Sequence, residues 1–226
     1  MWQLDDYRYA TSPEEAVKMM RAGPGRGVYI AGGTDLLLYP PDCDYAVDVS
    51  DAGLADLAGT ENGDLFVGAG VTLHRLENDP LVRGFAHGAL SLAAEVCGNR
   101  PVRTTATLGG NLCNALPSAD MAPVLLALDA MCFITDEDSQ ESLPLADFFV
   151  APRVTVLEDR LLVGLALPGS ATNRRCLARK LTRSAEDISL VQIAVGLDVA
   201  DGVLANVRIA LGAVAPVPLR STLAED

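Results

Sequence analysis

Two stretches of this sequence carry residue types suited to holding an anion by the backbone. In Val28-Tyr29-Ile30-Ala31-Gly32-Gly33-Thr34-Asp35-Leu36-Leu37 an apolar run stops abruptly at two glycines and a threonine. Glycine lacks Cβ, permits positive φ and lets another molecule approach the main chain. Successive N–H groups in such a turn can converge on phosphate oxygens, with the Thr34 hydroxyl as a further donor. The second stretch, Ala106-Thr107-Leu108-Gly109-Gly110-Asn111-Leu112, repeats the arrangement of strand, double glycine and polar donor. Neither is a Gly-x-Gly-x-x-Gly turn opening a helix, and neither ends in Gly-Lys-Ser/Thr, so the Rossmann and NTPase fingerprints are both missing. Simple strand-ending turns fit the same residues, so the spacing alone leads to two backbone cradles of pyrophosphate size and no further.

Other chemistry has little material. Only His74 and His87 are present, which leaves Ser-His or Cys-His catalysis poorly supplied. Five cysteines (Cys43, Cys97, Cys113, Cys132 and Cys176) are far apart, without a Cys-x-x-Cys pair. That spacing suits neither a disulfide framework nor a zinc or iron–sulfur site, and each reads as a small apolar residue. We therefore expect no catalytic side chain and no metal ligand in this chain, and chemistry that comes from a bound organic cofactor.

The elements that must position these stretches are readable in outline. Trp2 to Tyr9 alternates as a strand. Ser12-Pro13-Glu14-Glu15 has a cap, a first-turn proline and first-turn acids, and the helix that follows ends at Gly23-Pro24-Gly25. Val28 to Ile30 and Tyr45 to Val49 are strands, which makes the first fifty or so residues a small α/β unit. Further on, strands are expected at Leu65 to Ala69, Thr104 to Leu108, Met131 to Thr135, Leu161 to Leu167, Leu177 to Leu181, Val195 to Val199 and Val203 to Leu211. Asp201-Gly202 joins the last two as a hairpin. Helices are expected at Leu90 to Val96, Met121 to Ala130 and Ile188 to Ala194. The whole is an α+β chain.

Composition bounds the class. The 226 residues are 50% hydrophobic and 21% charged, ordinary for a compact protein. A net charge of −13 opposes nucleic-acid binding, which needs clustered Lys and Arg. The apolar runs are too short to cross a bilayer and the N-terminus lacks a secretory signal, so no membrane association and a cytoplasmic location are expected.

With these residues in view, the sequence resembles the FAD-binding medium subunit of the xanthine dehydrogenase and carbon monoxide dehydrogenase (molybdenum hydroxylase) family. Ala31 to Leu37 is similar to that family's first flavin loop. Val102 to Leu112, running on through Pro117-Ser118-Ala119-Asp120 to Leu128, resembles its longer second signature. Arg179 to Ile188 resembles a third, Lys-x-x-x-Arg-x-x-x-Asp, and the likeness spans nearly the whole chain. The resemblance implies the two-lobed flavin fold shared with vanillyl-alcohol oxidase relatives. Residues 1–55 would be a small α/β lobe and 56–212 a larger α+β lobe. Residues 213–226 would begin a C-terminal domain that is otherwise missing.

It also implies roles. Ala31, Gly32, Gly33, Thr34, Asp35 and Leu36, with Thr107, Leu108, Gly109, Gly110 and Asn111, would enclose the FAD pyrophosphate through backbone amides, Thr34 and Thr107 adding hydroxyls. Asp120 would contact the adenosine part and Leu162 the ring through its backbone. Lys180 would bring a cation to the isoalloxazine and favour the reduced flavin. Cys97 stands where some relatives carry an aromatic residue, and Arg183 with Asp187 reads as a structural pair. Electrons would come from 2Fe-2S clusters in a small subunit, themselves fed by a molybdopterin-binding large subunit, and leave to NAD, quinone or oxygen. Two other functions fit the residues: a self-contained flavin oxidase or reductase, with His74 or Tyr29 moving a proton, and a scaffold subunit without FAD.

Overall fold

The computed structural model describes residues 4–226; Trp2 and Gln3 of the first expected strand lie outside that range. The small lobe starts with β1 (Asp6–Tyr9), α1 (Pro13–Ala22), β2 (Gly27–Ile30) and β3 (Tyr45–Asp48). Its sheet is parallel, ordered β1-β3-β2. The α1 start is as the sequence predicts: Ser12 Oγ accepts from the Glu15 amide at 3.2 Å, and the Glu15 carboxylate accepts from the Thr11 amide at 2.7 Å. Ala16 and Val17 of the helix bury against Tyr45, Val47 and Val49 in a compact core of their own.

Beyond it come β4 (Leu57–Gly59), β5 (Leu65–Gly68), α2 (Leu73–Asn78), α3 (Pro80–Gly84), α4 (Ala89–Glu95), α5 (Arg100–Arg103), α6 (Leu108–Cys113) and α7 (Ala122–Ala127). The chain continues through β6 (Met131–Thr135), β7 (Gln140–Pro144), β8 (Phe149–Ala151), β9 (Val154–Thr155) and β10 (Leu161–Leu167). It finishes with β11 (Arg175–Leu181), β12 (Val191–Ala200), β13 (Val203–Gly212), β14 (Leu219–Arg220) and α8 (Thr222–Glu225). One sheet runs β4-β5-β10-β6-β7 and another β11-β12-β13-β14, and α7 packs, fully buried, on the latter. This is the α+β arrangement expected.

β10 is the seam between two hydrophobic cores. Leu161 belongs to the small core, with Val163 packed against it, while Leu162, Leu165 and Leu167 belong to the large one; a bulge between Leu162 and Gly164 interrupts the strand's alternation. Arg21 of α1 reinforces the seam, donating to Asp159 at 2.6 Å and to Asp136 at 2.5 Å, and the Tyr29 hydroxyl donates to the Asp159 carbonyl at 2.7 Å.

Two expected elements are corrected. Thr104 to Leu108 is not a strand: α5 ends just before it, and Thr107 caps α6, its Oγ1 accepting from the Gly110 amide at 3.0 Å. The β-branched threonines suggested extension, but a threonine hydroxyl also serves as a helix cap. Ile188 to Ala194 is not a helix. From Val191 it is β12, alternating inward Gln192 and Ala194 with outward Ile193 and Val195. The Asp201-Gly202 hairpin is present, both residues at positive φ as a type I′ turn requires.

Candidate functional site

The first glycine loop leaves β2 and turns at once. Gly33 has φ +65°, a left-handed conformation that a Cβ opposes. The turn then closes on itself, the Leu37 amide donating to the Gly33 carbonyl at 3.0 Å and the Tyr39 amide to the Asp35 carbonyl at 2.8 Å. Among the described residues, none accepts from the amides of Gly32, Gly33, Thr34, Asp35 or Leu36. Five consecutive half-buried donors without a protein acceptor fit an anionic ligand such as a pyrophosphate.

Gly32 brings the two glycine stretches together. A Cβ there would lie 2.0 Å from the Thr105 carbonyl oxygen and 3.2 Å from the Ala106 Cα. The first loop thus lies directly on the segment leading into α6. A second tie runs through side chains: Asn114 Nδ2 donates to the Asp35 carboxylate at 2.8 Å, and Arg153 donates to Asn114 Oδ1 at 3.1 Å. The Arg153 guanidinium lies 5.9 Å from the Tyr39 ring centroid, near the far end of the same turn. Asn114 and Arg153 had no local sequence signal, because their partners are remote in the chain.

The second stretch is not the cradle of free amides that its composition suggested. The Leu108 amide donates to the Val71 carbonyl at 2.9 Å and Gly109 to Ala69 at 2.8 Å, while Asn111 donates to the Thr107 carbonyl at 3.0 Å. With Gly110 capped by Thr107, the amides from Leu108 to Asn111 are all engaged. Gly109 is required for packing, since its Cβ would sit 2.6 Å from the Ala69 Cβ. This stretch contributes a wall, and the Thr107 hydroxyl still has a proton to donate.

Asn111 leads on to the remaining candidates. Its Oδ1 accepts from the Met121 amide at 3.2 Å, next to Asp120. The Asp120 carboxylate accepts from Lys180 Nζ at 3.3 Å through both oxygens, from Ser189 Oγ at 3.2 Å and from Gln192 Nε2. Asp120 and Lys180 are therefore neighbours, where the resemblance had given them to different parts of the dinucleotide. They lie at the polar end of a cleft of about 250 Å³ between α4 and β11, walled by Ala89, Leu92, Val96 and Ala178. Leu162 has its side chain in the core. The carbonyl of Val163 beside it accepts from the Ala69 amide at 2.8 Å, a backbone link towards Gly109.

Of the other expected residues, Cys97 reaches the Asp120 carboxylate and the rest lie elsewhere. Burial pushes the Cys113 and Cys132 thiols up to about 12, so neither supplies a thiolate near neutral pH. Burial first, and Asp120 beside it, push the Cys97 thiol up as well. The Tyr29 hydroxyl is committed at the lobe seam, and the His74 ring lies against Asn78 and Glu77. Arg183 and Asp187 form an exposed pair at 2.7 Å.

Comparison with known proteins bears on the family and the fold. The family described as "FAD binding domain in molybdopterin dehydrogenase" matches residues 3–170, and "CO dehydrogenase flavoprotein C-terminal domain" matches residues 177–226. The chain is 29% identical to the xanthine dehydrogenase FAD-binding subunit of Escherichia coli O157:H7, over 100% of this chain and 80% of the relative. It is 25% identical to the carbon monoxide dehydrogenase medium chain of Hydrogenophaga pseudoflava, over 95% and 76%. Carbon monoxide dehydrogenase from that organism superposes with a TM-score of 0.92 at 25% identity, covering 97% of this chain and 78% of that one. Quinoline 2-oxidoreductase from Pseudomonas putida 86 superposes at 0.87 with 27% identity. The chain belongs to the FAD-binding domain family of molybdopterin dehydrogenases, as an FAD-binding oxidoreductase subunit of the xanthine and carbon monoxide dehydrogenase type.

Proposed function

We propose that this chain relays electrons through FAD, from iron–sulfur clusters of a small partner subunit to an external acceptor, in a complex whose molybdopterin-bearing large subunit oxidises the organic substrate. Bound FAD supplies a carrier that exchanges electrons singly or in pairs. The chain's own residues bind and orient it. The amides from Gly32 to Leu36 hold the pyrophosphate, with Thr34 and Thr107 as hydroxyl donors and the stretch from Thr105 to Asn111 as the opposite wall. The ring end lies towards Lys180 and Asp120, beside the cleft under α4. The two lobes, residues 1–55 and 56–212, would then close on the cofactor from either side, in the cytoplasm. No general base is required of this chain, which accords with the commitment of Tyr29 and His74 elsewhere.

The observation that carries this reading is the row of five unpartnered amides clasped against Thr105 by a glycine that admits no side chain. It is tested with Thr34→Val and Gly32→Val. The native protein is expected to purify yellow with FAD near one per chain. Gly32→Val should lose the flavin, and Thr34→Val should weaken its affinity about tenfold, the value of one hydrogen bond to a charged group. Circular dichroism shows whether each variant is folded. A folded Gly32→Val variant with full flavin content would overturn the assignment, as would a native chain that takes up no FAD.

A further inference from the structure

We propose that Gln192 and Ser189 are positioning residues that hold Asp120 against Lys180, so that the flavin ring meets a compensated ion pair and not a lone cation. The inference rests on the reading above that Lys180 faces the ring. Lys180 and Gln192 are direct cross-strand partners of β11 and β12, so their side chains share the sheet face that looks towards α7. That face is otherwise built of small residues, including Ala178, Ala194 and Ala210. A glutamine 3% exposed among them has a cost, and its arrangement shows what offsets it.

The two Nε2 protons of Gln192 are shared among three acceptors, Asp120 Oδ1, Ser189 Oγ at 2.6 Å and the Ser118 carbonyl at 3.2 Å, while its Oε1 has no partner among the described residues. Turning the amide over would face an acceptor with the carboxylate. The side chain is also confined. A Cβ on Gly212 would reach within 2.5 Å of Gln192 Oε1 and 3.1 Å of Pro123. Ser189 completes the clamp, accepting from Gln192 and donating to Asp120 at 3.2 Å. Asp120 Oδ1 thus accepts from Lys180, Ser189 and Gln192, and Oδ2 accepts from Lys180. The carboxylate is fixed by its first oxygen, and the lysine follows the second. With Lys180 side chain 11% and Asp120 side chain 16% exposed, solvent does little to compensate either charge. The position of Asp120 thus governs the field at the ring, and with it the preference for reduced over oxidised flavin.

The test measures the midpoint potential of FAD bound to the full chain, by spectroscopic redox titration, together with flavin content. Asp120→Asn should raise the reduced-to-oxidised ratio at fixed potential by about tenfold or more, since it uncovers a cation. Lys180→Met should lower it. Gln192→Met and Ser189→Ala should each shift it in the direction of Asp120→Asn, by less, with flavin retained. In the Asp120→Asn background neither should shift it further. The proposal is overturned if both single variants keep the native potential, if their effect persists without Asp120, or if folded Gln192→Met loses its flavin. If Asp120→Asn and Lys180→Met both bind FAD at native potential, it is the placement of the ring that fails.

Discussion

Asp129 shows how one residue can tie several elements. Arg174, just before β11, donates to it at 2.7 Å, Arg208 of β13 at 2.9 Å and Arg220 of β14 at 2.9 Å. Burial alone would raise its carboxyl, but the hydrogen bonds from Arg174 and Arg208 outweigh that and hold it below the ordinary value. Asp129→Asn would leave the guanidinium of Arg174, 4% exposed, with the more distant Asp198 carboxylate at 3.9 Å as its remaining counter-charge among the described residues. We expect a loss of about 2–4 kcal/mol, the scale of a broken buried pair, read by urea denaturation at neutral pH. Gly33 offers a smaller test at the same scale. Gly33→Ala would hold a Cβ at φ +65°, and should cost about 1–2 kcal/mol while loosening the cradle.

At the scale of elements, Thr107 decides what the second signature is. Removing its hydroxyl by Thr107→Ala should cost about 1 kcal/mol through the lost cap of α6, and reduce FAD affinity with it. Denaturant midpoints and flavin titration separate the two effects. This is also where the sequence was least legible. α1 announces itself through Ser12, Pro13 and Glu15, and the β12–β13 hairpin through Asp201-Gly202, because those signals act on their immediate neighbours. Thr107 followed by Leu-Gly-Gly fits a strand end and a helix cap equally well until Ala69 and Val71 take up the Gly109 and Leu108 amides. Gln192 likewise lay in a stretch with helical composition, and only pairing with β11 gives it a face. The glycine stretches stood out as candidates; which of them keeps its amides open was not legible, since the carbonyls that take up the Leu108 and Gly109 amides come from the turn after β5.

Over the whole molecule, the joint between lobes depends on carboxylates. Hydrogen bonds from Arg21 hold the Asp159 and Asp136 carboxyls below their ordinary values. A folded value lowered in this way adds stability that is complete above the unfolded carboxyl value near pH 4, and that stability disappears as pH falls through the lowered folded values. Thermal melts between pH 7 and pH 3 should therefore show a drop confined to the acid end. Arg21→Leu should flatten that drop and lower the neutral melting point towards the acid one. An Arg21→Leu chain with an unchanged acid profile would show that the joint does not depend on these pairs. The described residues contain no helix long and apolar enough to cross a membrane.

The pressing of Gly32 onto Thr105 makes the pigment a reporter of assembly. On the proposed reading the first loop holds its amides open only while the second stretch backs it, so during refolding the yellow colour should be acquired last, after tertiary circular dichroism has returned. A nick anywhere in the intervening chain that lets the two stretches drift apart should bleach the protein before it unfolds.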